Sequence, residues 1–126
     1  MINIAQDTIF KLHPIDTRKI RSDIASLLIR DEEVVAAFKT VRDQMIFTTH
    51  RIITTDSVGV TGVKKTYSSL PYTRIQYYGI ETPGLVELVP ESALMVTFAS
   101  GYTARFEFRG STDILELSRV ISEYIL

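Results

Sequence analysis

The chain has 126 residues, with 14 Lys or Arg against 15 Asp or Glu and a formal net charge of −1. That length suits one domain with a single core, and the near-balance of charge removes the strongly basic footprint of a nucleic-acid binder. There is no cysteine, which excludes a disulfide framework, thiolate chemistry and Cys-based zinc sites, while an apolar share of 45% and a mean hydropathy of +0.12 leave room for surface buried against a partner.

Met1 to Leu12 has neither the charged nor the apolar region of a signal peptide, and Gln6 and Asp7 stand where the apolar stretch would lie. No run approaches the roughly 18 apolar residues of a spanning helix, so a cytoplasmic protein is expected. Asp16 to Leu28 reads as a helix: Pro14 and Asp16 signal its start, and Ile20, Ile24, Leu27 and Leu28 follow at i, i+4, i+7 and i+8. The acidic cluster Asp31-Glu32-Glu33 then breaks the pattern, and β-branched and aromatic residues take over.

Strands are expected over Val34–Thr40, Gln44–Thr49, Arg51–Asp56, Lys65–Leu70, Arg74–Glu81, Leu85–Val89, Leu94–Ala99 and Tyr102–Arg109. Pro and Gly mark most of the breaks between them, and Ser100-Gly101 between two alternating runs signals a tight hairpin. Ala104, Phe106 and Phe108 alternate with Thr103, Arg105, Glu107 and Arg109, as a half-buried strand requires. After Gly110 the period changes: Ile114, Leu117, Val120, Ile121 and Tyr124 form one face of an amphipathic helix opened by Ser111 to Asp113. A series of short strands closed by one helix is predominantly β, a sandwich or barrel with an end for the helix to cover. No linker, repeat or low-complexity stretch divides it, so residues 1–126 are read as a single domain. Its parts are a helical N-terminal extension over 1–30, a barrel over 33–110 and a C-terminal helix over 111–126.

Few residues invite chemistry. His13 precedes Pro14 at a helix entry and His50 sits between two strands, each placed as a turn histidine. No serine lies in a nucleophile elbow and no histidine or carboxylate spacing suggests a metal, so no enzyme activity, metal or cofactor is expected. The loop Gly59-Val60-Thr61-Gly62-Val63-Lys64-Lys65-Thr66 faintly echoes a phosphate loop, but its spacing is wrong and it leads into a strand rather than a helix. Lys64 and Lys65 beside glycines remain candidates to meet an anion, together with Lys39 and Arg42 around the first hairpin turn. Arg51 belongs to the same basic set, with Asp56 or the Asp31–Glu33 cluster as its alternative partners. Tyr67, Tyr72, Tyr77 and Tyr78 are a further concentration. In the strand that follows Pro71, both faces carry apolar side chains, which suits either a sheet packed inside the fold or one whose outer face meets another subunit, the second being favoured because tyrosine tolerates interfaces well. Tyr72, Arg74, Gln76, Tyr78 and Ile80 are the candidate contact residues.

From Val34 to Leu126 the chain resembles the bacterial pleckstrin-homology-like (PH-like) domain family. The resemblance rests on Val34-Val35-Ala36-Ala37-Phe38, Phe47-Thr48-Thr49-His50-Arg51-Ile52-Ile53, the Gly59–Thr66 loop and Leu70-Pro71-Tyr72-Thr73-Arg74-Ile75. Ile80-Glu81-Thr82-Pro83-Gly84 and the terminal Tyr124-Ile125-Leu126 complete it. It implies a seven-stranded, partly open barrel of two near-orthogonal antiparallel sheets capped by a C-terminal helix, with one of the eight expected strands an over-division. It also implies a non-enzymatic binding or scaffolding module that forms a homo-oligomeric ring, a pentamer among its candidate sizes. Its partners are then further copies of the chain or another protein. Eukaryotic relatives that bind phosphoinositides place Lys and then Lys/Arg-x-Arg around the first hairpin. Lys39 and Arg42 match in Lys39-Thr40-Val41-Arg42-Asp43, whereas the second arginine is absent and Asp43 adds a negative charge. Anionic-ligand or lipid-headgroup recognition at a membrane surface through Lys39, Arg42, Lys64 and Lys65 is the alternative expectation.

Overall fold

The computed structural model describes residues 8–60, 64–84 and 90–126. Eight strands follow one another in the hydrogen-bonded order β5-β4-β3-β2-β1-β8-β7-β6. They are β1 (Thr8–Ile15), β2 (Val34–Lys39), β3 (Gln44–Thr48), β4 (Arg51–Val58), β5 (Lys64–Pro71), β6 (Ile75–Glu81), β7 (Glu91–Phe98) and β8 (Thr103–Arg109). Consecutive strands from β2 to β5 and from β6 to β8 pair antiparallel. The strands from residue 34 onward are those expected. The strand expected at Leu85–Val89 lies outside the described residues.

The N-terminal strand was not anticipated, and it joins the two halves. Thr8–Leu12 of β1 runs parallel to Ala104–Phe108 of β8, whereas His13–Ile15 runs antiparallel to Ala37–Lys39 of β2. Phe10 and Leu12 point inward, alternating with exposed Lys11 and His13. At this seam Phe10 stacks on Phe106 at 5.0 Å, and Phe47 meets Phe38, Phe106 and Phe108 edge-on at 5.5–5.8 Å. Four strands thus contribute to one aromatic cluster, the geometry such rings favour.

The curled sheet is left open at one end, and helix α2 (Ile114–Ile125) fills it. Asp113 caps α2 by accepting from the Glu116 amide at 3.1 Å, and Ile114, Leu117 and Ile121 are buried in the barrel core. The Tyr78 and Ser122 hydroxyls hydrogen-bond, tying α2 to β6.

The continuous helix expected over Asp16–Leu28 does not form. A 3-10 turn spans Thr17–Lys19 and the short helix α1 only Ser22–Ala25. Gln44 is the cause. Its side-chain oxygen accepts from the Arg21 amide at 3.0 Å and its amide donates to the Lys19 carbonyl at 3.0 Å, which holds Ile20 and Arg21 extended between the two turns. The apolar residues of this segment still find a face: Ile20, Ile24, Leu27 and Leu28 pack with Ala37, Ile46 and Ile53 on the outside of β2–β4. The extension therefore covers its own barrel.

Candidate functional site

Two turns lie at the same end of the sheet. Between β2 and β3 the Thr40 amide donates to the Asp43 carbonyl at 2.9 Å, and the Asp43 amide donates to the Thr40 hydroxyl at 3.2 Å. Asp43, expected to repel an anion, instead turns inward and accepts from the Ser57 amide at 2.9 Å and the Ser57 hydroxyl at 2.7 Å. Between β4 and β5, Gly59 takes φ +85°, a conformation that side chains disfavour. Arg42 bridges the turns by donating to the Gly59 carbonyl at 3.2 Å. Val41, in the first turn, and Val60, next to Gly59, are completely exposed.

The four candidate cations divide around this pair of turns. Lys39 ends β2 and Arg42 lies in the first turn, while Lys64 and Lys65 open β5 opposite Val58 and Ser57. All four are exposed. Strand alternation sends Lys64 and Lys65 to opposite faces, so they do not form the double cation that adjacency suggests. Lys65 faces Asp23, whose carboxyl is held below its usual range chiefly by the Tyr67 hydroxyl, with smaller contributions from Arg21 and Lys65. Thr61 to Val63, in the same loop, lie outside the described residues.

Arg51 leaves the basic rim altogether. Its Nε and Nη2 donate to the Glu32 carboxylate at 2.9 and 3.0 Å, Nη2 also reaches the Leu27 carbonyl at 2.7 Å, and Nη1 reaches the Ser69 hydroxyl at 2.8 Å. Glu32 accepts in addition from the Thr48 hydroxyl at 2.6 Å and the Ile29 amide at 3.1 Å. Burial pushes its carboxyl up, but the Arg51, Thr48 and Ile29 hydrogen bonds outweigh burial and hold it at about 2. The Asp31–Glu33 cluster was thus the correct one of the two partners anticipated for Arg51. Across β1, β8 and β6 a chain of ion pairs runs Lys11–Glu107–Arg105–Glu81 at 3.3, 2.8 and 2.8 Å.

The candidate contact residues on and before β6 do not share a surface. Tyr72 is in the core, 1% exposed, with its hydroxyl donating to the Thr48 carbonyl at 2.7 Å. Tyr78 and Ile80 are half-buried against the core, while Arg74 and Gln76 are exposed. The register of β6 against β7 shifts between Ile75 and Tyr77. This irregularity returns Tyr78 to the inner side and turns Tyr77 outward, 63% exposed, against the uninterrupted alternation read from sequence. Arg74 and Gln76 thus stay accessible at this edge, beside exposed Thr73, Tyr77 and Glu81, and Tyr72 is withdrawn from it.

His13 sits opposite Lys39 on β1, and His50 contacts the Thr49 hydroxyl at 2.8 Å and the Tyr124 ring at 4.7 Å. Among the described residues no group of three or more His, Asp or Glu side chains converges on a metal-sized site. None of the helices described is long and apolar enough to cross a membrane.

A strongly curled, mostly antiparallel sheet with its open end plugged by a C-terminal helix is the build of a PH-like module. Comparison with known proteins makes the class specific: the family model "Bacterial PH domain" matches residues 3–125, and the chain belongs to that family. It is 32% identical over 108 residues to the uncharacterized protein YjqA of Bacillus subtilis, covering 86% of each chain. With YozO of the same organism it is 29% identical over 102 residues, 81% of this chain and 86% of that one. Among solved structures, a DUF1696-family protein with a pleckstrin-homology domain from Shewanella loihica aligns with a TM-score of 0.64 and 25% identity, over 93% of this chain and 99% of that one. A pleckstrin homology domain from Shewanella amazonensis aligns at 0.58 and 32% identity, over 89% and 90% of the two chains.

Proposed function

We propose that this chain is a non-enzymatic binding and scaffolding module that assembles head to tail into a homo-oligomeric ring. The observation that carries this reading is the pair of free edges. β5 and β6 stand at opposite ends of the strand order, and among the described residues neither has a hydrogen-bonded neighbour on its outer side. An unpaired edge is a template for another strand. When β5 of one copy pairs with β6 of the next, the contact is heterologous, and a closed ring results when the rotation per subunit divides a full turn. Light scattering after size exclusion tests this directly. A multimer of constant mass at low and high salt is expected. Gln76→Lys combined with Tyr77→Lys, both on exposed positions of β6, should give a folded monomer. A monomeric native chain, or a double variant of unchanged mass, overturns the reading.

The Arg42–Gly59 bridge supports a second reading, recognition of an anionic group by the basic turns. Joining the two turns concentrates Lys39, Arg42 and Lys64 at one end of a molecule whose net charge is only −1.

A further inference from the structure

Strand β2 bulges between Val34 and Ala36, so Val35 and Ala36 both pack against the barrel core instead of alternating. On its other side β1 leaves it early. The pairing covers Ala37–Lys39 only, and among the described residues Val34–Ala36 have no strand partner there. Between departing β1, bulged β2 and the first turn of α2 lies an open cleft of about 270 Å³. Ile15, Val35, Ala36 and Leu117 supply apolar walls, with exposed Asp113 and half-buried Glu116 at the rim. The Thr112 hydroxyl also lines the cleft, without a hydrogen-bond partner among the described residues. A capping aspartate and a first-turn glutamate are ordinary at a helix start. Here they give an otherwise apolar cleft a negative rim, because none of its described lining residues is cationic. Arg119 offsets only Glu116, in an exposed pair at 2.9 Å that contributes little.

We infer that the cleft receives a lysine or arginine side chain from an extended segment of a partner protein, its methylene stem on the apolar walls and its charged head at Asp113 and Glu116. Size, chemistry and backbone choose that occupant. The volume falls below the roughly 300–1,000 Å³ of sites built for whole small molecules, and suits one long side chain. An apolar stem with a charged tip matches apolar walls with an acidic rim. The stretch of β2 without a strand partner offers backbone to an extended chain beside the side chain that enters. This site rests on the binding-module reading above and gives that reading a partner of stated chemistry. In the strand order it stands apart from β5 and β6, so it does not depend on ring closure.

The probes are acetylated and amidated pentapeptides Ala-Xaa-Lys-Xaa-Ala, with valine, leucine or threonine as Xaa. Comparison sets carry arginine, norleucine or glutamate in place of lysine. In calorimetric titration of the native chain, lysine and arginine members should bind, norleucine members should bind at least roughly tenfold more weakly, and glutamate members should not bind. Asp113→Asn with Glu116→Gln keeps the helix capped, since asparagine caps as well as aspartate, and should erase the difference between lysine and norleucine. Ala36→Leu, which fills the cleft, should abolish binding of both. The site is overturned if no cationic member binds, if lysine and norleucine bind alike, or if binding survives both variants. Light scattering separates this outcome from assembly. A stable ring that binds none of the peptides overturns the cleft alone, and a monomer that binds them overturns the ring alone.

Discussion

Glu32 has no exposed side-chain surface, and its charge survives there only because Arg51, Thr48 and the Ile29 amide are aimed at it. Arg51 does more than neutralise: one fork holds the carboxylate, the Leu27 carbonyl and Ser69, so it fastens the N-terminal segment to β4 and β5. Arg51→Ala strands a buried carboxylate and should cost about 3–5 kcal/mol in urea unfolding. Lysine, a point charge without the fork, should recover only part of that. The acid limb follows from the same group. Its carboxyl sits at about 2 when folded and at 4.5 ordinarily, so its contribution is complete above about pH 4.5 and disappears as pH falls toward 2. Linkage puts that contribution at about 3 kcal/mol. Glu32→Gln should lower stability near neutrality and flatten the loss across that interval. An unchanged acid limb in Glu32→Gln would show that another carboxyl governs it.

The N-terminal segment shows how an element can be apolar at helical spacing and still not be one helix. Ile20, Ile24, Leu27 and Leu28 do lie on one face, but Gln44 engages the Lys19 carbonyl and the Arg21 amide and holds the backbone between them extended. Gln44→Ala should therefore cost about 1–2 kcal/mol, two partly exposed hydrogen bonds' worth. Amide exchange should speed up across residues 19–28 while the inner strands keep their protection. Uniform exchange across the molecule would mean that this segment and the barrel unfold as one unit. Local patterns made the strands from β2 to β8 and the terminal helix legible, because alternation and its change of period after Gly110 are properties of neighbouring residues. Strand β1 was not read, although Phe10 and Leu12 alternate with Lys11 and His13. The alternation is four residues long, meets Pro14, and acquires meaning through pairing with β8, nearly a hundred residues away, and with β2. The site divides in the same way. The cations were legible as residue types, but the Arg42–Gly59 bridge, the inward turn of Asp43 and the irregularity in β6 depend on register between strands.

In the proposed ring the strand order and the basic turns become one argument. A ring built by repeating one β5–β6 contact has cyclic symmetry, and cyclic symmetry sets equivalent residues of every subunit at one height along the axis. When the turns project along that axis, every copy of Lys39, Arg42 and Lys64 can meet one anionic surface together. The second and later contacts are then intramolecular, and avidity can exceed the affinity of one subunit by roughly 10²–10⁴ without any new interaction. The edge variant Gln76→Lys/Tyr77→Lys leaves the turns untouched, yet it should bind anionic vesicles at least about a hundredfold more weakly than the native chain. Titration of both proteins against the same vesicles measures this. Equal affinities in a variant shown to be monomeric would mean that each subunit meets the anionic surface alone and that the proposed ring adds no avidity.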